Sequence, residues 1–67
     1  MMDVIVNGFA ERVSNDISIR QLIILFQEAD TDLIVEHNGR FIYPRDYEKI
    51  RLSEGDRIEF INPNFGG

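Results

Sequence analysis

At 67 residues the chain is one domain at most, and it buries only about 60% of its unfolded surface, so every core side chain counts. Apolar content of 43% is enough for a folded core, while the lack of cysteine excludes a disulfide framework, a thiolate zinc site and a cysteine nucleophile. A net charge of −5 excludes the basic footprint of nucleic-acid binding and suits docking onto a basic partner.

Residues 2–6 alternate as a strand, with Met2, Val4 and Val6 on one face and Asp3 and Ile5 on the other. Asn7-Gly8 is a tight hairpin signal, since both residues tolerate positive φ, and residues 9–13 form the return strand. Ser14-Asn15-Asp16 is a turn. Ser18 then reads as a helix N-cap, with Gln21 completing a capping box. Ile19, Leu22, Ile23 and Phe26 repeat on one helical face, flanked by Leu25 and Ala29, while Ile24 falls off it. The helix is expected to end near Ala29, before the turn formers Asp30-Thr31-Asp32.

Residues 33–37 form a third strand, with Val35 facing one way and Ile34 and Glu36 the other. Asn38-Gly39 is a second tight turn, and residues 40–43 form a short strand closed by Pro44, which lacks a ladder donor. One helical turn is expected over residues 46–50, then a turn at Glu54-Gly55-Asp56. Residues 57–62 alternate again, with Ile58 and Phe60 on one face and Glu59 and Ile61 on the other, until Pro63 stops the strand. An amphipathic helix among strands must bury its stripe on a sheet, so the fold class is α+β. The expected division is a domain over residues 1–62 and a C-terminal tail over 63–67.

These residues carry a resemblance. The N-terminal strand ends in Asn7-Gly8, and the capped helix opens Ser18-Ile19 and continues with Leu22-Ile23. Val35-Glu36-His37-Asn38-Gly39 and Pro44-Arg45-Asp46-Tyr47 follow, then Leu52, Gly55-Asp56 and Ile58-Glu59, with Gly66-Gly67 last. In this order the set resembles the ThiS/MoaD-like sulfur carriers, and ThiS most closely. The resemblance implies a ubiquitin-like β-grasp, a mixed sheet of four to five strands packed against one helix.

It also implies a function. The Gly67 carboxylate would be adenylated with ATP by an E1-like (ThiF/MoeB-type) adenylyltransferase. Sulfide or a protein persulfide would then displace AMP and leave a thiocarboxylate for a sulfur-accepting synthase. The tail suits this chemistry, because glycine alone has no Cβ to clash in a narrow channel and Pro63 favours extended chain. The carrier would be a monomeric protein cosubstrate rather than an enzyme, binding no cofactor or metal of its own.

The family's partner surface is the helix-free sheet face near the tail, where Ile5, Ile34 and Ile61 point outward. Phe65 either fills a partner pocket or folds back onto its own sheet. Two features depart from thiamine-pathway members. The stretch from Asn38 to Pro44 is one residue longer, and Asn62-Pro63-Asn64-Phe65 stands where small or β-branched residues are usual. Thiamine thiazole is the expected destination of the sulfur. Cysteine, homocysteine or methionine synthesis, molybdopterin, a ubiquitin-like modifier and an inert module with a frayed Gly66-Gly67 end are the alternatives.

The remaining features read as structural. His37 shares the phase of Val35 and is expected to be partly buried and hydrogen-bonded. Glu28, Asp30 and Asp32 lack the spacing of a calcium loop and form a solvated turn. Arg40, Arg45, Lys49, Arg51 and Arg57 are expected on the solvated surface, with contact to an acidic partner patch as the alternative. No apolar run approaches the roughly 20 residues of a membrane span, and with no basic region before an apolar stretch at Met1-Met2-Asp3 no signal peptide is expected. The expected location is cytoplasmic.

Overall fold

The computed structural model describes residues 1–63. Among these residues there are five strands and one α-helix: β1 (Met2–Val6), β2 (Phe9–Val13), α1 (Ile19–Leu25), β3 (Ile34–His37), β4 (Arg40–Ile42) and β5 (Arg57–Ile61). They form one mixed sheet of order β2-β1-β5-β3-β4. β1 and β5 run parallel, while β1–β2, β3–β4 and β3–β5 are antiparallel. Both hairpins turn on asparagine in the left-handed region, Asn7 at φ 49° and Asn38 at φ 52°, each followed by a glycine at positive φ. That pattern is what a two-residue turn requires to match the strand twist.

The helix starts where the sequence predicts. Gln21 N–H donates to Ser18 Oγ at 3.1 Å, and Ser18 N–H donates to Gln21 Oε1 at 2.9 Å. The other orphan donors of the first turn find the chain near η1, a 3₁₀ turn at Pro44–Asp46. Ile19 N–H reaches the Ile50 carbonyl and Arg20 N–H the Tyr47 carbonyl, both at 3.0 Å. One crossing segment thus covers the helix entrance, which makes Ser18 the buried polar residue of the core.

The helix ends earlier than expected, at Leu25 rather than near Ala29. Gln27 stands in the left-handed region at φ 57°. Gln27 N–H bonds the Ile24 carbonyl and Glu28 N–H bonds the Ile23 carbonyl, closing a Schellman cap. The helical turn expected over 46–50 also moves forward, to Pro44–Asp46. Proline is preset for the first position of a helix, where its missing N–H costs nothing.

Ile19, Leu22 and Ile23 bury one side of α1 against Met2, Val4 and Val6 of β1, Val35 of β3 and Ile58 and Phe60 of β5. Ile19, Leu22, Ile58, Val4 and Val35 are fully buried, each contributing about 1.5–3 kcal/mol of transfer free energy. Phe26 meets Phe60 edge to face, with ring centroids 6.1 Å apart. Tyr47 is buried too. Desolvation raises its phenol pKa, partly offset by the Arg20 guanidinium 5.3 Å from the ring. Ile24 and Leu25 both face solvent.

Candidate functional site

β5 is the strand that leads towards the C-terminus, and both hairpin turns hold it. β1 ends one residue before Asn7, whose N–H still bonds the Ile58 carbonyl. The Asn7 side chain then extends the ladder, its Oδ1 accepting from Phe60 N–H at 2.8 Å. At the other end Asn38 Oδ1 accepts from Arg57 N–H at 2.8 Å. An asparagine from each neighbouring hairpin therefore clamps one end of the central strand.

The Arg57 end is braced further by Asp56. Its carboxylate accepts from Ser53 N–H at 2.9 Å and from Asn38 Nδ2 at 3.2 Å, and lies 2.8 Å from His37 Nε2. Burial pushes the Asp56 carboxyl up, but the bonds from His37, Ser53 and Asn38 together outweigh it and hold it below the usual aspartate value. His37 is mostly buried, as its phase implied, and its hydrogen bond to Asp56 crosses the end of the sheet.

The sheet face away from α1 carries the outward side chains in rows. At the C-terminal end of β5, Ile34 and Ile61 are directly opposite across β3 and β5. The next row places Glu36 opposite Glu59, with Phe41 of β4 opposite Glu36. Ile5 of β1 lies beside Arg57, four residues along β5 from Ile61 and so roughly 13 Å away. The structure therefore brings Ile34 and Ile61 together and sets Ile5 apart. Ile61 is 38% exposed, while Ile34 and Ile5 are half-buried. Phe41 and Tyr43 touch edge to face at 4.8 Å, and the Arg45 guanidinium lies 4.6 Å over the Tyr43 ring.

Glu36 and Glu59 form the feature that sequence reading missed. Alternation already put Glu36 with Ile34 and Glu59 with Ile61, but only the β3–β5 register shows that the two carboxylates oppose each other. Like charges in that position destabilise a sheet. Neither carboxylate has an ion pair or side-chain hydrogen bond among the described residues.

At the end of β5, Asn62 Nδ2 lies 3.4 Å from Glu28 Oε1, just past the helix cap. Asp32 N–H bonds Asp30 Oδ1 at 2.8 Å, the local turn expected there. Among the described residues no three acidic, histidine or cysteine side chains are grouped to hold a metal, and no helix is long and apolar enough to cross a membrane. Phe65, Gly66 and Gly67 lie outside the described residues.

The profile of the ThiS family matches residues 4–67. The chain belongs to the ThiS family. Solved structures agree. The crystal structure of the thiamine biosynthesis protein ThiS from Geobacter metallireducens is 25% identical, with 98% of this chain and all of that one covered at a TM-score of 0.85. A solution structure of a thiamine biosynthesis protein from the same organism, also 25% identical, covers 98% of this chain and 88% of that one at a TM-score of 0.82. Comparison with curated proteins gave no significant match. The fold is thus the ThiS β-grasp, here with five strands.

Proposed function

We propose that this protein is a sulfur carrier for the thiazole of thiamine. The observation that carries the reading is the ThiS family match, which runs to Gly67, joined to structural neighbours described as thiamine biosynthesis proteins.

The chemistry follows from the weakness of a carboxylate as an acyl donor. The Gly67 carboxylate attacks the α-phosphorus of ATP and pyrophosphate leaves, giving an acyl-adenylate. Sulfide attacks the acyl carbon and AMP leaves, giving the thiocarboxylate. The carrier contributes a thin, threadable end at Gly66-Gly67 and a face by which an E1-like adenylyltransferase holds it. Ile34 and Ile61 supply the apolar contact of that face nearest the tail, Phe65 adds an aromatic anchor, and Ile5 makes a separate contact further along. ATP binds the partner enzyme, and the carrier acts as a cosubstrate in the cytoplasm.

The acceptor is tested by supplying thiocarboxylated carrier to purified thiazole synthase with its other substrates. Thiazole phosphate should form in proportion to the carrier consumed. Sulfur passing instead to an acceptor of cysteine, homocysteine or methionine synthesis, with no thiazole formed, would redirect the assignment.

A further inference from the structure

The apolar row at the C-terminal end of β5 could rest on many surfaces, but the row behind it could not. Glu36 and Glu59 face each other directly across the two strands β3 and β5. Glu36 is half-buried and Glu59 exposed, and no cation among the described residues is within ion-pair distance of either. Ile34 and Ile61 border the pair towards the C-terminal end of β5, and Phe41 stands beside Glu36 on the adjacent strand. Any partner that covers the apolar row also covers these carboxylates. Covering them with apolar surface would strip their water without compensation. A planar guanidinium, with its fork of donors, can bridge two adjacent carboxylates. The chain's overall charge of −5 favours encounter with such a surface.

We infer that the Glu36–Glu59 row receives a basic side chain, an arginine by geometry, from the adenylating partner, and that this row sets which partner the carrier accepts. The inference rests on the carrier reading above. The two glutamates repel each other in the free protein and are neutralised in the complex, so they act on recognition and oppose stability.

The test compares wild type with Glu59→Gln and the double variant Glu36→Gln/Glu59→Gln. Each is titrated as substrate of the purified ThiF-type adenylyltransferase, with pyrophosphate release followed at low and high salt. The double variant should be at least as resistant to urea as wild type. Its KM should rise about tenfold with kcat unchanged, and the salt dependence of its KM should shrink. Unchanged KM and unchanged salt dependence in both variants, with wild type adenylated normally, would overturn the inference alone. Failure of wild type itself to be adenylated would overturn the carrier reading and this inference with it. If the double variant does not fold, exposed Glu59→Gln decides by the same two readouts.

Discussion

Removing the Asn7 side chain tests whether a hairpin asparagine truly holds the central strand. In Asn7→Ala, Phe60 N–H loses its 2.8 Å acceptor at a partly buried position. An unsatisfied donor of that kind costs about 1–3 kcal/mol. Alanine must also adopt the φ of 49° that Asn7 holds, which costs about 1 kcal/mol more. The expected loss is about 2–4 kcal/mol, a large share of the 5–15 kcal/mol typical of a folded domain. Asn7→Gly separates the two contributions, since glycine removes the acceptor but accepts the backbone angle. It should lose only about 1–3 kcal/mol. Asn7→Asp keeps an acceptor oxygen and should lose least. Urea unfolding of the three variants gives the order, and hydrogen exchange at the Phe60 amide shows the cause. If Asn7→Gly matched wild type in stability and in Phe60 protection, the clamp would have no energetic role.

Three other perturbations address separate parts of the fold. Gln27→Gly places the favoured residue at the left-handed helix cap and should stabilise by about 0.5–1 kcal/mol in urea, and a loss of stability would mean that the Gln27 side chain matters more than its backbone angle. Asp56 has a lowered folded pKa, so its contribution is complete above the ordinary aspartate range and is lost as pH falls through the folded value. Wild type should therefore lose stability on acidification more steeply than Asp56→Asn, and equal slopes between neutral pH and pH of about 3 would contradict the hydrogen-bond account. Ile61→Asp alters a 38% exposed position opposite Ile34, so it should change stability by less than about 1 kcal/mol yet slow loading by the adenylyltransferase. Normal loading kinetics would remove Ile61 from the proposed docking face.

Local chemistry made much of this fold legible. Asn7-Gly8 and Asn38-Gly39 announce both hairpins because few other residues accept left-handed angles. Ser18 with Gln21 announces the helix start because two side chains satisfy two backbone donors. The helix end was hidden because glutamine, not glycine, occupies the left-handed cap at Gln27. The 3₁₀ turn begins two residues before the expected one because Pro44 both stops the strand and starts the turn. Tyr47 and Ile17 join the core from irregular segments, where no periodicity marks a buried face.

The site was legible in its faces and illegible in its rows. Alternation correctly put Ile34 and Glu36 on one side, as it did Glu59 and Ile61. Pairing between β3 and β5 crosses a loop, the short strand β4 and η1, so no local signal fixes its register. That register joins Ile34 to Ile61, opposes the two glutamates and separates Ile5. The His37–Asp56 contact spans 19 residues and depends on the same pairing.

The proposed function depends on the reactivity of the Gly67 carboxylate. The direct measurement is intact mass spectrometry of the full chain after incubation with a ThiF-type adenylyltransferase, ATP and sulfide. The account predicts a mass gain of one oxygen-for-sulfur exchange, located by fragmentation at Gly67, dependent on ATP and abolished when Gly67 is removed. No exchange with an enzyme that loads another ThiS-family carrier, or exchange at any other residue, would contradict it.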